Sequence, residues 1–199
     1  MRRTIFDTPI LNTLLHGVSA VVLRIIGWRR EGRAPDIPKY VVIAAPHTTN
    51  WDLPMALLLA FACRIKVYWM GKDSIFRWPF GGFFMWLGGI PVDRGKSHGM
   101  VGQLIQVFSE NERFVLVMAP EGTRKSVLYW KSGFYHIAMG AHVPIVLGYI
   151  DYGRKAGGIG PVITPTGDID VDMEKFRAFY ANVTGKHDRN KPIAVATRH

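Results

Sequence analysis

The stretch KYVVIAAPHTTNWDLPMALLLAFA (39–62) sets a short apolar run before a longer one, with the polar segment PHTTNWD (46–52) between them. The first run predicts a strand over 40–45. The second, apolar from Leu53 to Ala62, predicts a buried helix. In strand–loop–helix units of this kind, functional groups collect in loops that leave strand ends. One imidazole, His47, and one carboxylate, Asp52, occupy that loop.

The same alternation continues outward. Strands are predicted at 64–70 (RIKVYWM), 89–92 (GIPV), 113–119 (RFVLVMA) and 144–150 (PIVLGYI), with a weaker one at 160–164 (GPVIT). Val101, Leu104, Ile105 and Phe108 recur at the spacing of one helix face, as do Phe134, Ile137, Ala138 and Ala141; a last helix is predicted over 172–183. Strands alternating with helices define a single α/β domain, with a central mixed, mostly parallel sheet flanked by helices. EGRAPDIPK (31–39) reads as a polar linker, so residues 1–38 are expected to form an N-terminal amphipathic helix and linker, and 39–199 the catalytic domain.

Three polar clusters follow predicted strands: PHTTNWD, VDRGKSHG (92–99) and APEGTRK (119–125). Their common placement predicts that they meet at one rim of the sheet. On a continuous helix, five positions rotate through roughly 500°, which would point His47 and Asp52 about 140° apart. They meet only if His47 lies in the loop and the helix starts near Asn50, capped by Asn50 or Thr49; Pro54 then falls in the first turn. Asp52 could in that case fix the imidazole tautomer and leave its other nitrogen as a general base. The competing reading is a surface histidine beside a helix start that carries a favourable acid. Gly122 permits close backbone approach to a ligand, and Arg124, like Arg94 at another strand end, can grip a phosphate through paired bonds.

Charge and composition narrow the partners. The 199 residues hold 25 Lys+Arg against 15 Asp+Glu, a net +10 that favours an anionic partner. With 48% hydrophobic residues, six Trp and eleven Phe, the aromatics gather in apolar blocks such as RWPFGGFFMWLGG (77–89). Nucleic-acid binders instead interleave them with basic residues, so nucleic acid is not expected. PILNTLLHGVSAVVLRIIGW (9–28) is interrupted by His16 and Arg24, too short of an uninterrupted span to cross a bilayer, and has no small-residue cleavage site. Flanked by Arg2, Arg3, Arg29, Arg30 and Arg33, it reads as an interfacial helix on an anionic membrane surface, or as a helix packed on the domain. The expected location is membrane-associated, peripheral or monotopic, on the cytoplasmic face. The single cysteine, Cys63, sits in an apolar run and reads as a core thiol.

Other motifs are weaker. RGKSHG (94–99) resembles the end of a phosphate-binding loop, but the required first glycine position holds Ile90. GKSHG (95–99) satisfies G-x-S-x-G, which makes a Ser97-dependent esterase or thioesterase the alternative function, with Asp151 or Asp168 and then His187 or His199 following in order. The seven histidines show no metal-binding spacing, so no metal is expected.

Taken together, these motifs resemble those of the glycerolipid acyltransferases, the superfamily of 1-acylglycerol-3-phosphate acyltransferases. His47 and Asp52 match its His-x4-Asp motif. GGIPVDR resembles its second motif through Gly88 and Arg94, and Pro120 to Arg124 match its third, with Ala119 and Lys125 departing. Val143, Pro144 and Ile145 match a fourth. The resemblance covers about residues 40–150. It implies transfer of a fatty acyl group from acyl-CoA or acyl carrier protein, used as co-substrate without a resident cofactor, to a lysophospholipid hydroxyl. The expected acceptor is 1-acylglycerol-3-phosphate. It further implies His47 as general base, Asp52 as its partner, and Arg94, Glu121, Gly122, Thr123 and Arg124 as the acceptor site.

Overall fold

A computed structural model describes residues 3–92, 99–124, 127 and 129–187. Seven strands form one sheet: β1 (Arg29–Glu31), β2 (Lys39–Ala45), β3 (Tyr68–Lys72), β4 (Gly89–Val92), β5 (Phe114–Met118), β6 (Ile145–Asp151) and β7 (Ala156–Ile163). Their order is β1-β7-β6-β2-β5-β3-β4, and every pair is parallel except the β6–β7 hairpin. Among the described residues six α-helices accompany them: α1 (Pro9–Ile25), α2 (Asp52–Ala62), α3 (Gly81–Trp86), α4 (Met100–Glu110), α5 (Gly133–Gly140) and α6 (Ile169–Tyr180).

The apolar strands are buried on both faces, as parallel strands must be, and the pleat sorts their side chains into two cores. Val41, Ile43 and Ala45 of β2, Phe114 and Leu116 of β5, and Ile145, Leu147 and Tyr149 of β6 face the core that holds Leu104, Phe108, Phe134, Ile137 and Phe176 of α4, α5 and α6. The alternate residues Tyr40, Val42, Val115 and Val146 face Ala60 and Phe61 of α2, with Leu11 and Leu15 of α1. The Tyr180 hydroxyl, buried against the sheet, donates to the carbonyls of Ile43 and Gly148 at 2.7 and 2.8 Å, which seats α6 on the two central strands.

The N-terminal helix packs on the domain through one face. Leu23 lies with Met55, Leu59, Ala62 and Ile150, and His16 Nδ1 meets the Phe61 carbonyl at 3.0 Å. Its opposite face leaves Ile10, Leu14, Val18, Val21 and Ile25 exposed in a continuous stripe. No helix among the described residues is long and apolar enough to cross a membrane.

Several elements differ from the sequence reading. β3 begins at Tyr68 because Arg64, with φ of 55°, turns the chain out of α2; Ile65 and Val67 are buried before the strand starts. β1 falls in the arginine-rich segment and has no apolar pattern. It is held by backbone pairing to Ala156, Gly157 and Gly158, where a Cβ on Gly158 would lie 2.0 Å from the Glu31 carbonyl oxygen. β7 accordingly starts at Ala156, four residues before the predicted strand. The short helix α3 lies inside the aromatic block.

Candidate active site

β2 and β5 are parallel neighbours, so the loops that follow them, 46–51 and 119–124, open at the same rim. β4 runs parallel at the sheet edge and ends on that rim too. Arg94 and Ser97, which follow it in sequence, lie outside the described residues.

His47 Nδ1 and Asp52 Oδ2 are 2.9 Å apart. α2 begins at Asp52, two residues later than the sequence reading placed it, and its N-cap position is taken by Trp51 rather than Asn50 or Thr49. The Asp52 side chain turns back over the loop: Oδ2 also accepts the backbone N–H of Thr48 at 2.8 Å and of Thr49 at 3.0 Å. Oδ1 accepts the Tyr152 hydroxyl at 2.9 Å. Asp52 is 6% exposed, and burial works against its charge. The bonds from His47, Thr49, Thr48 and Tyr152 outweigh that cost and hold its carboxyl below the usual 3.8.

An ionised carboxylate can only accept, so Nδ1 of a neutral His47 must carry the ring proton. The Nε2 lone pair is then free for chemistry, and no hydrogen bond to it forms among the described residues. The His47 side chain is 29% exposed. The pair therefore combines a shielded, ionised anchor with a base that a ligand can reach.

The backbone of His47 is held from the other loop. Its N–H donates to both Glu121 carboxylate oxygens, at 2.9 and 3.2 Å. Gly122 turns this loop with φ of +63°, and the Lys131 side chain lies across it, 3.1 Å from where a Cβ would stand. Thr123 is half-buried and Arg124 exposed just beyond. The first and third sequence clusters are thus joined through direct contacts. Tyr152, Lys131 and the bond between Glu121 and the His47 backbone were not in the sequence reading. Tyr152 follows the last strand motif with no spacing to mark it, and Lys131 lies in none of the three polar clusters.

Of the esterase candidates, Asp168 instead caps α6, accepting from the N–H groups of Asp170 and Val171 at 3.1 and 3.2 Å. Asp151 is fully buried and accepts from Gly153 and Arg154. Among the described residues no three His, Cys, Asp or Glu side chains group as metal ligands.

A histidine anchored by a carboxylate at the rim of an α/β sheet is an arrangement able to act as a general base. Residues 29–149 match the family model described as Acyltransferase, and the chain belongs to that family. It is 33% identical over 132 residues to the 1-acyl-sn-glycerol-3-phosphate acyltransferase of Escherichia coli (strain K12), covering 61% of this chain and 52% of that protein. The corresponding Haemophilus influenzae protein is 30% identical over 132 residues, covering 61% and 53%. The chain thus spans about half the length of these relatives. The crystal structure of the 1-acyl-sn-glycerophosphate (LPA) acyltransferase PlsC from Thermotoga maritima shares the fold, with a TM-score of 0.55 at 16% identity over 83% of this chain and 75% of that one.

Proposed function

We propose that this chain is an O-acyltransferase that moves a fatty acyl group from an acyl thioester to the hydroxyl of a lysophospholipid, with 1-acylglycerol-3-phosphate the acceptor. The observation that carries this reading is the His47–Asp52 pair, bonded at 2.9 Å with Nε2 turned away from the carboxylate. Nε2 takes the proton of the acceptor hydroxyl as its oxygen attacks the thioester carbonyl carbon. The tetrahedral intermediate collapses with loss of the C–S bond, and the departing sulfur takes the proton back from the imidazolium. The products are an ester and a free thiol, and the histidine returns to its starting state. Asp52 stabilises the imidazolium between the two transfers.

In this reading Arg124 and Thr123, on the turn made by Gly122, bind the acceptor phosphate, and the motif resemblance adds Arg94. Glu121 belongs to the same acceptor site, and its bond to the His47 backbone links acceptor binding to the position of the base. Acyl-CoA or acyl carrier protein serves as donor.

The enzyme is expected to sit peripherally on an anionic membrane. The exposed stripe of α1 supports this, together with Trp78, 93% exposed, and exposed Phe80 and Phe83. Beside that stripe, a cleft of about 560 Å3 is lined by His16, Arg24, Arg29 and Arg30. Among the described residues no carboxylate lies within 4.0 Å of these three arginines.

The test is thiol release from long-chain acyl-CoA, with and without lysophosphatidic acid, by wild type, His47→Ala and Ser97→Ala. Release that needs the acceptor and is lost with His47 supports the proposal. Acceptor-independent release that disappears with Ser97 would replace it with a thioesterase.

A further inference from the structure

Tyr152 opens the turn between β6 and β7, beyond the end of the family match at residue 149. Its hydroxyl donates to Asp52 Oδ1 at 2.9 Å, across 100 positions of sequence. The three other donors to Asp52 all converge on Oδ2. Tyr152 is therefore the one hydrogen-bond partner of Oδ1 among the described residues. Without it that oxygen would be left in a shielded site, and the carboxylate could rotate away from His47.

The turn itself is clamped. Asp151 Oδ1 accepts from the N–H groups of Gly153 at 3.0 Å and Arg154 at 3.1 Å, and the Tyr152 N–H donates to the Thr184 carbonyl at 2.9 Å. Arg154 pairs with Glu31 of β1 at 2.6 Å, and Glu31 also accepts the Tyr149 hydroxyl. The Tyr152 ring meets the edge of Trp28, centroids 5.1 Å apart at 87°. Trp28 in turn is held at the end of α1 by its N–H on the Leu23 carbonyl at 2.7 Å. Burial first, and then the bond to Asp52, push the Tyr152 hydroxyl well above its ordinary pKa, so it remains a donor throughout the working pH range.

We infer that Tyr152 is a positioning residue for the His47–Asp52 pair: its hydroxyl fixes the second oxygen of Asp52, and Trp28 at the end of α1 fixes its ring. The inference rests on the acyl-transfer reading for its kinetic consequences and on geometry alone for its effect on the pair.

Tyr152→Phe keeps the ring and removes only the hydroxyl. Its kcat should fall on the order of tenfold with KM for acceptor and donor unchanged, and the thermal midpoint should drop by a few degrees, because a bond to a buried charged group is lost without loss of packing. In an Asp52→Ala background the same change should cost nothing further, since the effect passes through Asp52. In an NMR spectrum of the resting protein, the His47 Nδ1–H resonance should shift in Tyr152→Phe. Full kcat in Tyr152→Phe, an equal loss in the Asp52→Ala background, or an unmoved Nδ1–H resonance would each overturn the inference. If wild type shows no acceptor-dependent release, the acyl-transfer reading fails, while a shifted resonance would still support the positioning role.

Discussion

The backbone N–H of His47 is bound by both carboxylate oxygens of Glu121, at 2.9 and 3.2 Å. The loop after β2 and the loop after β5 are thus tied at the backbone of His47. Replacing Glu121 with Ala leaves that N–H without its acceptor and should cost about 1–3 kcal/mol in stability together with a fall in kcat. Glu121→Gln keeps one carbonyl oxygen as acceptor and should recover part of both. Urea unfolding and steady-state rates on the two variants check this, and equal behaviour of Ala and Gln would count against it.

His47→Ala should lower turnover by about 10²–10⁴ while the thermal midpoint stays near wild type, because the partly exposed ring is in none of the hydrophobic cores. Circular dichroism melts beside thiol-release rates separate the two effects. Retention of full activity would remove the general-base role.

The folded Asp52 carboxyl titrates below its ordinary value of 3.8. A group whose pKa is depressed by folding adds stability above its unfolded pKa and loses that contribution as pH falls through the folded one. Wild type should therefore lose more stability than Asp52→Asn between about pH 5 and pH 2. Denaturant midpoints measured across that window should converge as the pH falls; parallel curves would show that Asp52 is not held ionised.

Gly122 occupies the left-handed region at φ +63°, with the Lys131 side chain 3.1 Å from a virtual Cβ. Gly122→Ala should cost about 1–2 kcal/mol and displace the Thr123–Arg124 segment. KM for lysophosphatidic acid should rise more than kcat falls. A change confined to kcat would separate this loop from acceptor binding.

Leu14 and Val21 lie on the exposed face of α1, whereas Leu15 and Leu23 pack in the cores. Leu14→Glu with Val21→Glu should release the protein from anionic vesicles without lowering its thermal midpoint, and wild-type binding should weaken with salt. Flotation with such vesicles reads this directly. Deleting residues 1–30 is a poorer test, because it also removes core side chains and most of β1.

Much of the architecture was legible because local periodicity reports burial. The apolar runs of β2, β5 and β6 marked strands covered on both faces, and the spacing of Leu104 and Phe108 marked α4. β1 was not legible. Three polar residues form a strand there because Gly158 admits the close Glu31 backbone, and backbone pairing leaves no side-chain pattern. The start of α2 was misplaced by two residues because the Asp52 carboxylate binds the loop behind it instead of leaving Thr49 or Asn50 to cap the helix.

By itself, the sequence determined an α/β domain, its strand-end clusters and the two residues His47 and Asp52, since these depend on short spacings along the chain. Only the tertiary structure decided that Glu121 holds the His47 backbone, that Tyr152 supplies the second oxygen of Asp52 with a partner, and that α1 both packs on α2 and exposes an apolar stripe. These contacts join groups 74 and 100 positions apart, or choose between two apolar faces of one helix. They arise from the side-by-side placement of parallel strands, which no local pattern encodes.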